Sequence, residues 1–481
     1  MRPSPVPAAG WVVTTLGLAV RNLLRNRRRS LATLLALAIG STAILLFAGF
    51  SANIKLTMET THVRTGGHLQ IQHRDLRTYG SGDPTSYGIA EAPSIIEAIA
   101  RDETLRDLVL VATPMLQFGG IAGNYSAGVS QTILGIGLVA ADQSKMREWN
   151  AYNIPILATP LGLTGTPADS AVIGTGLARI LQLCEPLNIA GCSRPEAKKA
   201  QESGVRIPDD IAGLSAQETV SQAGESGAGD ARGGSQIEIL VSNARGAPNV
   251  ASLNVVQNDT QPIKALDDVY VALHLPQAQR LIYGAASPKV TAIALQLRRS
   301  DQMSAAIARL NVKLSDWAAG QPLLVLDFAT LNPFYVQTIR LFDTIFAFIL
   351  ALIGGIVLFT VNNTMNTAVV ERTVEIGTLR AIGLRRGGIR GLFVAEAMLL
   401  GLAGGVFGIA SALIAAFVVN HLGLEWLPPG NAGAMPLVLR VWGEWTTIVW
   451  TTAGLVVIAL LSAWWPAYRA ARLNVVDALR H

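Results

Sequence analysis

Four long stretches of the chain, residues 30–54, 344–370, 397–424 and 445–468, contain no Asp, Glu, Lys or Arg. Each exceeds the roughly 20 residues an α-helix needs to cross the hydrocarbon core of a bilayer. Residues 345–359 read IFAFILALIGGIVLF, apolar on every side. A buried helix of a water-soluble protein instead brings polar residues back every turn. The pattern predicts four membrane-spanning helices, at 30–54, 341–368, 392–420 and 445–467, one before and three after a mostly polar segment at 55–337. A cleaved signal peptide has an apolar core of about 7–15 residues. The first run here is 25 residues long, which reads as an uncleaved anchor.

Between the first two spans the pattern turns to alternation. His68 to His73 (HLQIQH) puts Leu69 and Ile71 on one face of a strand. Residues 94–106 predict a helix through Ile95, Ile96, Ile99 and Leu105, and 108–113 and 131–136 predict strands. Residues 171–183 (AVIGTGLARILQL) read as a strand running into a helix, and strand character returns at 237–242, 252–256 and 268–273. A last strand–helix pair at 290–297 and 303–318 is expected to pack on the first α+β piece, because both chain ends return to the membrane. The expected segment thus has two lobes: a proximal one (55–140 and 289–337) and a distal one (141–288) inserted into it. Residues 184–235 are rich in Gly, Ser and Ala, with low complexity at 222–235, and read as an exposed insertion.

Arginine placement orients the spans. Residues 1–29 carry six Arg, the 369–391 connection carries Arg372, Arg380, Arg385, Arg386 and Arg390, and the 468–481 tail carries Arg469, Arg472 and Arg480. The positive-inside rule puts these three pieces in the cytoplasm and the 55–337 segment outside. Residues 11–28 read equally as an interfacial amphipathic helix or as a plain basic flank. The overall pI of 9.3 is therefore topogenic: the cytoplasmic pieces hold 14 Arg and three acids, leaving 24 basic and 30 acidic residues elsewhere. Nucleic acid is not an expected partner. Mean hydropathy of +0.39 and 15% charged residues agree with a membrane protein. Cys184 and Cys192 are candidates for a local disulfide if their compartment is oxidising, with two free thiols as the alternative.

No catalytic constellation is legible. GxxxxGK[ST] is absent, and the glycine-rich run at 224–234 lacks the lysine of a phosphate loop. GNYSAG at 123–128 has Asn124 where a nucleophile elbow needs glycine, so Ser126 reads as a hairpin residue. His62, His68 and His73 lack metal-ligand spacing. The chain is expected to be a non-enzyme with no metal. Glu396 lies about a turn inside the third span, which makes it a functional candidate, with snorkelling or helix pairing as the plainer account. Asn362, Asn363 and Asn366 read as interhelical hydrogen-bonding residues.

The most patterned polar stretch is AVVERTVEIGTLRAIGLRRGGIRGLFVAEAMLLGLAGGVFGI at 368–409, in which 369–382 forms a short helix ended by Gly383 as C-cap. A charged helix between two spans suits docking of a cytosolic partner, with a solvated connector as the alternative. This stretch, with WWPAYRAARLNVVDALR at 464–480, closely resembles the FtsX-like permease family of type VII ABC transporters. The segments AVIGTGLARILQL and LDDVYVALHLPQAQRLIYG are similar to its lipoprotein-releasing and MacB-type branch.

The resemblance implies a permease that dimerises, with an identical or a different permease, in a bacterial inner membrane. It implies a separate cytosolic ATPase that binds ATP and Mg, with no cofactor in this chain. It makes 371–383 a coupling helix, with Glu371, Arg372, Glu375, Ile376, Gly377, Leu379, Arg380 and Gly383 facing that ATPase. The outer domain is expected to resemble the porter and sabre lobes, and motion is expected to pass from the ATPase to it by mechanotransmission. A lipoprotein, lipid or other amphiphile would be released or extruded, with a periplasmic or outer-membrane protein as a further partner. Two departures stand out: the fused ATPase of MacB proper is missing ahead of the first span, and the 184–235 insertion is longer than lipoprotein-releasing members usually carry. The alternative is a mechanotransmitting regulator of a periplasmic cell-wall hydrolase. The size of the 55–337 segment favours transport.

Overall fold

The computed structural model describes residues 8–80, 83–155, 158–189, 192, 235–428 and 430–473, with side chains from 16 onward. Most of the insertion expected at 184–235, and the tail beyond 473, lie outside the described residues. The chain divides into two compact units: Met1–Glu59, Asn332–Trp426 and Met435–His481 in one, Thr60–Leu331 with Leu427–Ala434 in the other.

The first unit is helical. Helix α1 (Ala8–Arg25) precedes α2 (Arg27–Gly66), and α9 (Pro333–Glu371), α10 (Thr373–Ala381), α11 (Arg386–His421) and α12 (Trp445–Arg472) complete it. Four of these, α2, α9, α11 and α12, are long and apolar enough to cross a membrane. At 40 and 39 residues, α2 and α9 run about 60 Å at 1.5 Å per residue, well past their charge-free stretches. The second and third spans begin where the sequence pattern put them only loosely, because charged turns such as Arg386–Arg390 continue the same helix.

Contacts fix the helix directions. Thr33 meets Thr364 (Oγ1 to Oγ1 2.9 Å) while Phe47 stacks on Phe346 (centroids 6.2 Å), so α2 and α9 are antiparallel. A Cβ at Gly404 would lie 2.4 Å from Leu37 Cβ, and one at Gly408 would lie 2.2 Å from Ser41 Cβ, so α11 runs parallel to α2 at backbone-close range. Gly401 and Gly405, on the adjoining face, meet Val456 and Thr452 and make α12 antiparallel to α11. The start of α2, the end of α9, the start of α11 and the end of α12 therefore share one end of the bundle. The arginines cluster there. Exposed Trp445 and Trp464 stand 19 residues apart on α12, about 28 Å by helix rise and close to one hydrocarbon thickness. Tryptophans at both ends match the aromatic belts of a membrane helix.

The second unit is α+β and is built on one nine-stranded sheet: β1 (Leu69–His73), β2 (Val109–Asn124), β3 (Val129–Leu138), β4 (Ser170–Ile173), β5 (Gln236–Ser242), β6 (Pro248–Asn258), β7 (Tyr270–His274), β8 (Ala292–Leu297) and β9 (Leu323–Asp327). Strand β2 is shared. Its first part pairs antiparallel with β8, and its second part with β3 and β5. The order β2-β3-β7-β4-β6-β5 returns to β2 and closes a six-stranded barrel, while β2-β8-β1-β9 remains open. Strands β2 and β3, expected within the proximal lobe, thus supply a wall of the barrel.

Leu69, Ile71, Phe118, Ile293 and Leu295 are fully buried in the core of this unit. The helix expected over 94–106 is interrupted. Helix α3 (Ala92–Arg101) stops at Asp102, and α4 (Leu105–Leu108) restarts after it. The Asp102 carboxylate accepts backbone N–H bonds from Thr104 and Leu105, and two nitrogens of Arg309 on α8 (Met303–Trp317). The Arg309 guanidinium holds that carboxyl below its ordinary range, against the opposing effect of burial. The same contact ties the final strand–helix pair to the first α+β piece, with β8 between β1 and β2. Strand β9 and α7 (Leu275–Tyr283) were not marked by the pattern.

Candidate functional site

The candidate site lies at the arginine-rich end of the helical bundle. Helix α9 ends at Glu371 and α10 begins at Thr373, so a one-residue break at Arg372 replaces the single helix expected over 369–382. The break falls where the side chain turns inward. Arg372 is 7% exposed, and its Nη1 donates to Glu396 Oε1 at 2.9 Å. Its Nη2 donates to the Asn22 carbonyl at 3.2 Å. Asn22 Nδ2 donates to the same Glu396 Oε1 at 2.7 Å. Glu396, 2% exposed, is therefore a helix-pairing carboxylate and does not snorkel. Three elements meet at it: α1 through Asn22, the α9–α10 corner through Arg372, and α11 through Glu396 itself. A buried charge persists only when it is paired and hydrogen-bonded; Nη1 and Nη2 of Arg372 meet that requirement with charge-assisted bonds, while its Nε is buried without a partner.

Around this knot the other predicted residues take different parts. Glu375 is held by Arg25 Nη2 at 2.7 and 2.6 Å, and Glu371 pairs with Arg29. The Arg25–Glu375 pair is half exposed and the Arg29–Glu371 pair partly buried on its arginine, and together they fasten α10 and the end of α9 to α1 and α2. Exposed pairs of this kind contribute about 0.2–1 kcal/mol each. Ile376 and Gly377 are buried, Ile376 within an apolar cluster that includes Ile389, Phe393, Ala467 and Ala470. Arg380 donates to the Leu473 carbonyl at the end of α12. Gly383 has φ +106°, and the bonds from Gly383 N to Arg380 O (3.1 Å) and Leu384 N to Leu379 O (3.0 Å) close the helix as a Schellman motif. Only glycine adopts that φ without strain.

With one face of α10 fastened down, the opposite face is exposed among the described residues. Val374, Thr378 and Ile382 recur every four residues on it, and Ile382 is 80% exposed. Leu379 and Val370 are exposed beside them. A largely apolar stripe on a nine-residue helix, rimmed by Glu371 and Glu375, is suited to docking. Among the described residues no group of three or more His, Cys, Asp or Glu could hold a metal.

Nothing in the sequence marks Asn22, Arg25 and Arg29 as partners of this site, because they lie about 350 residues away and read as topogenic charge. Asn362 and Asn366 bond to each other along α9 (3.3 Å), and the Asn363 carbonyl accepts from Thr367. Cys184 and Cys192 are joined as a disulfide in the α+β unit, their Cα atoms 5.6 Å apart. Ser126 sits in the β2–β3 turn, its hydroxyl on Asn124 Oδ1 (2.7 Å). His68 is buried against Trp149, with Nδ1 accepting from the Leu297 N–H (3.0 Å). Burial pushes its pKa down to about 4.

Comparison with known proteins decides the family of this region, since the FtsX-like permease C-terminal family matches residues 327–475. Residues 327–475 form an FtsX-like permease C-terminal domain. The macrolide export ATP-binding/permease protein MacB of Escherichia coli (strain K12) is 37% identical over 143 residues, and that of Shigella flexneri is 38% identical over the same length. The aligned stretch is 30% of this chain and 20% of each relative, so the chain spans about a fifth of the length of the curated relatives it matches. The FtsX-like domain contains the whole candidate site except its α1 and α2 partners.

Proposed function

We propose that this chain is the permease subunit of a MacB- or FtsX-type ABC transporter, and that α10 is the surface on which a separate cytosolic ATPase seats. The exposed Val374–Thr378–Ile382 stripe, on a helix anchored through Arg372 and Glu396, carries the reading. ATP and Mg would belong to that partner. A load applied to α10 passes to α9 through a one-residue corner, and to α1 and α11 through the buried carboxylate. The helix therefore cannot tilt alone. In this reading the arginine-rich end is cytoplasmic, the α+β unit is periplasmic, and two permeases, identical or different, assemble in a bacterial inner membrane. The cargo is an amphiphile such as a lipid or lipoprotein handled on the periplasmic side, with a periplasmic or outer-membrane protein as a further partner.

The test is co-expression with a cytosolic ABC ATPase from the same genome, followed by affinity purification and ATP hydrolysis in proteoliposomes. Val374→Asp with Ile382→Asp is expected to abolish co-purification while the permease still folds. An unaltered complex would refute the docking assignment. Recovery of a cell-wall hydrolase or its adaptor, in place of lipid or lipoprotein, would move the reading to the regulatory branch.

A further inference from the structure

A second site lies beside α10, at the end of α12. Arg390 in the first turns of α11 and Arg472 at the end of α12 both place their guanidinium carbon over the ring of Tyr468, at 4.6 and 4.3 Å. Two like charges gathered on one aromatic ring repel each other, and the ring offsets only part of that. Among the described residues no carboxylate forms an ion pair with Arg390, Arg469 or Arg472, whereas Arg25, Arg29 and Arg372 each have one. The Nε of Arg390 is buried without a hydrogen-bond partner. Buried arginine nitrogens without partners also occur at Arg372 and Arg29, so the distinguishing feature here is two guanidinium groups on one ring with no carboxylate paired to them among the described residues.

The surface below it says which anion. Val457, Leu461, Trp465, Tyr468 and Arg472 follow one another at spacings of four, four, three and four, so they share one stripe of α12. Leu461, Trp464 and Trp465 are 65%, 67% and 62% exposed. From Trp465 to Arg472 is seven residues, about 10 Å by helix rise. That spans the step from the edge of the hydrocarbon to the phosphate level of a leaflet. A soluble phosphate would need the arginines alone; the aromatic and aliphatic stripe running into the bilayer fits a ligand with an acyl chain.

We propose that Arg390, Arg472 and Tyr468 form a headgroup site for an anionic phospholipid of the leaflet at the arginine-rich end, its acyl chain lying along the exposed stripe of α12. This goes beyond docking on α10 and does not depend on it. The site borders the α10 anchor, since Arg380 reaches the Leu473 carbonyl one residue past Arg472. A bound lipid would brace the same end of the bundle.

The experiment uses the full chain purified in mild detergent. Native mass spectrometry reads retained lipid, and thermal unfolding is followed with added phosphatidylglycerol, phosphatidylcholine or inorganic phosphate. Wild type should retain the anionic lipid and be stabilised by phosphatidylglycerol over phosphatidylcholine. Arg390→Gln with Arg472→Gln should weaken retention by about thirty-fold, the effect of two surface arginines on an anionic membrane lipid. The double lysine variant should keep most of it. Equal stabilisation of wild type by both lipids would overturn the proposal without recourse to any variant. Retention undiminished in the glutamine variant would overturn it too. Equal stabilisation by inorganic phosphate would assign the arginines to a soluble anion and end the lipid reading.

Discussion

Truncating Glu396 tests whether the buried knot holds the candidate site together. Glu396→Ala removes both acceptor bonds at 2.7 and 2.9 Å and leaves the Arg372 guanidinium buried with only the Asn22 carbonyl to meet. Removing one partner of a buried ion pair costs about 3–5 kcal/mol, most of it the stranded charge. Glu396→Gln keeps an oxygen for Asn22 and Arg372 but leaves the buried Arg372 charge without a counter-charge, so most of that cost, about 2–4 kcal/mol, is expected to remain. Glu396→Ala with Arg372→Met removes the charge from both sides. It should recover much of the single-variant loss, with a coupling energy of about 2–3 kcal/mol in a double-mutant cycle. Reversible unfolding in mixed detergent micelles supplies the four free energies, and ATPase stimulation supplies a functional readout on the same proteins. A Glu396→Ala variant within about 1 kcal/mol of wild type, or losses that simply add, would refute the reasoning.

Other outcomes follow from the same coordinates. Gly408→Val puts a Cβ 2.2 Å from that of Ser41, so α2 and α11 must part; a loss of at least about 3 kcal/mol is expected, and a wild-type melting curve would count against the parallel packing. His68 is neutral when folded, with pKa about 4 against an ordinary 6.5, so its contribution is complete above pH 6.5 and lost as pH falls from 6.5 toward 4. That amounts to about 3 kcal/mol, read as faster hydrogen exchange at the Leu297 amide, and His68→Asn should flatten the slope. Serine at Cys184 and Cys192 opens a short loop and should cost about 2–3 kcal/mol in the α+β unit, read as a lower melting temperature of that unit.

The spans were the most legible part of the fold, because twenty consecutive apolar residues have few other destinations. The strand at Leu69 and Ile71 was legible from alternation. The barrel was not: β2 is one extended run by pattern, and only its partners show that it belongs to two arrangements. The break at Asp102 escaped notice because the apolar period continues through Leu105; it takes Arg309, two hundred residues later, to explain why an aspartate ends the helix there. At the candidate site the surface charges of α10 were visible in sequence, but their partners Arg25 and Arg29 were not. Arg372 read as topogenic charge and as one of the coupling-helix residues, whereas it is buried against Glu396.

The order in which the open sheet gains its strands has a consequence for how the protein is made. Strand β1 pairs with β8 and β9, Leu69 lying opposite both Leu295 and Asp327. At about 5–20 residues per second, the ribosome delivers Leu295 roughly 11–45 seconds after Leu69. During that interval the first span has been synthesised and β1 has neither neighbour. The sheet gains its last strand only as α9 is about to follow, and Leu427–Ala434, which belong to the same unit, are made only after two further spans.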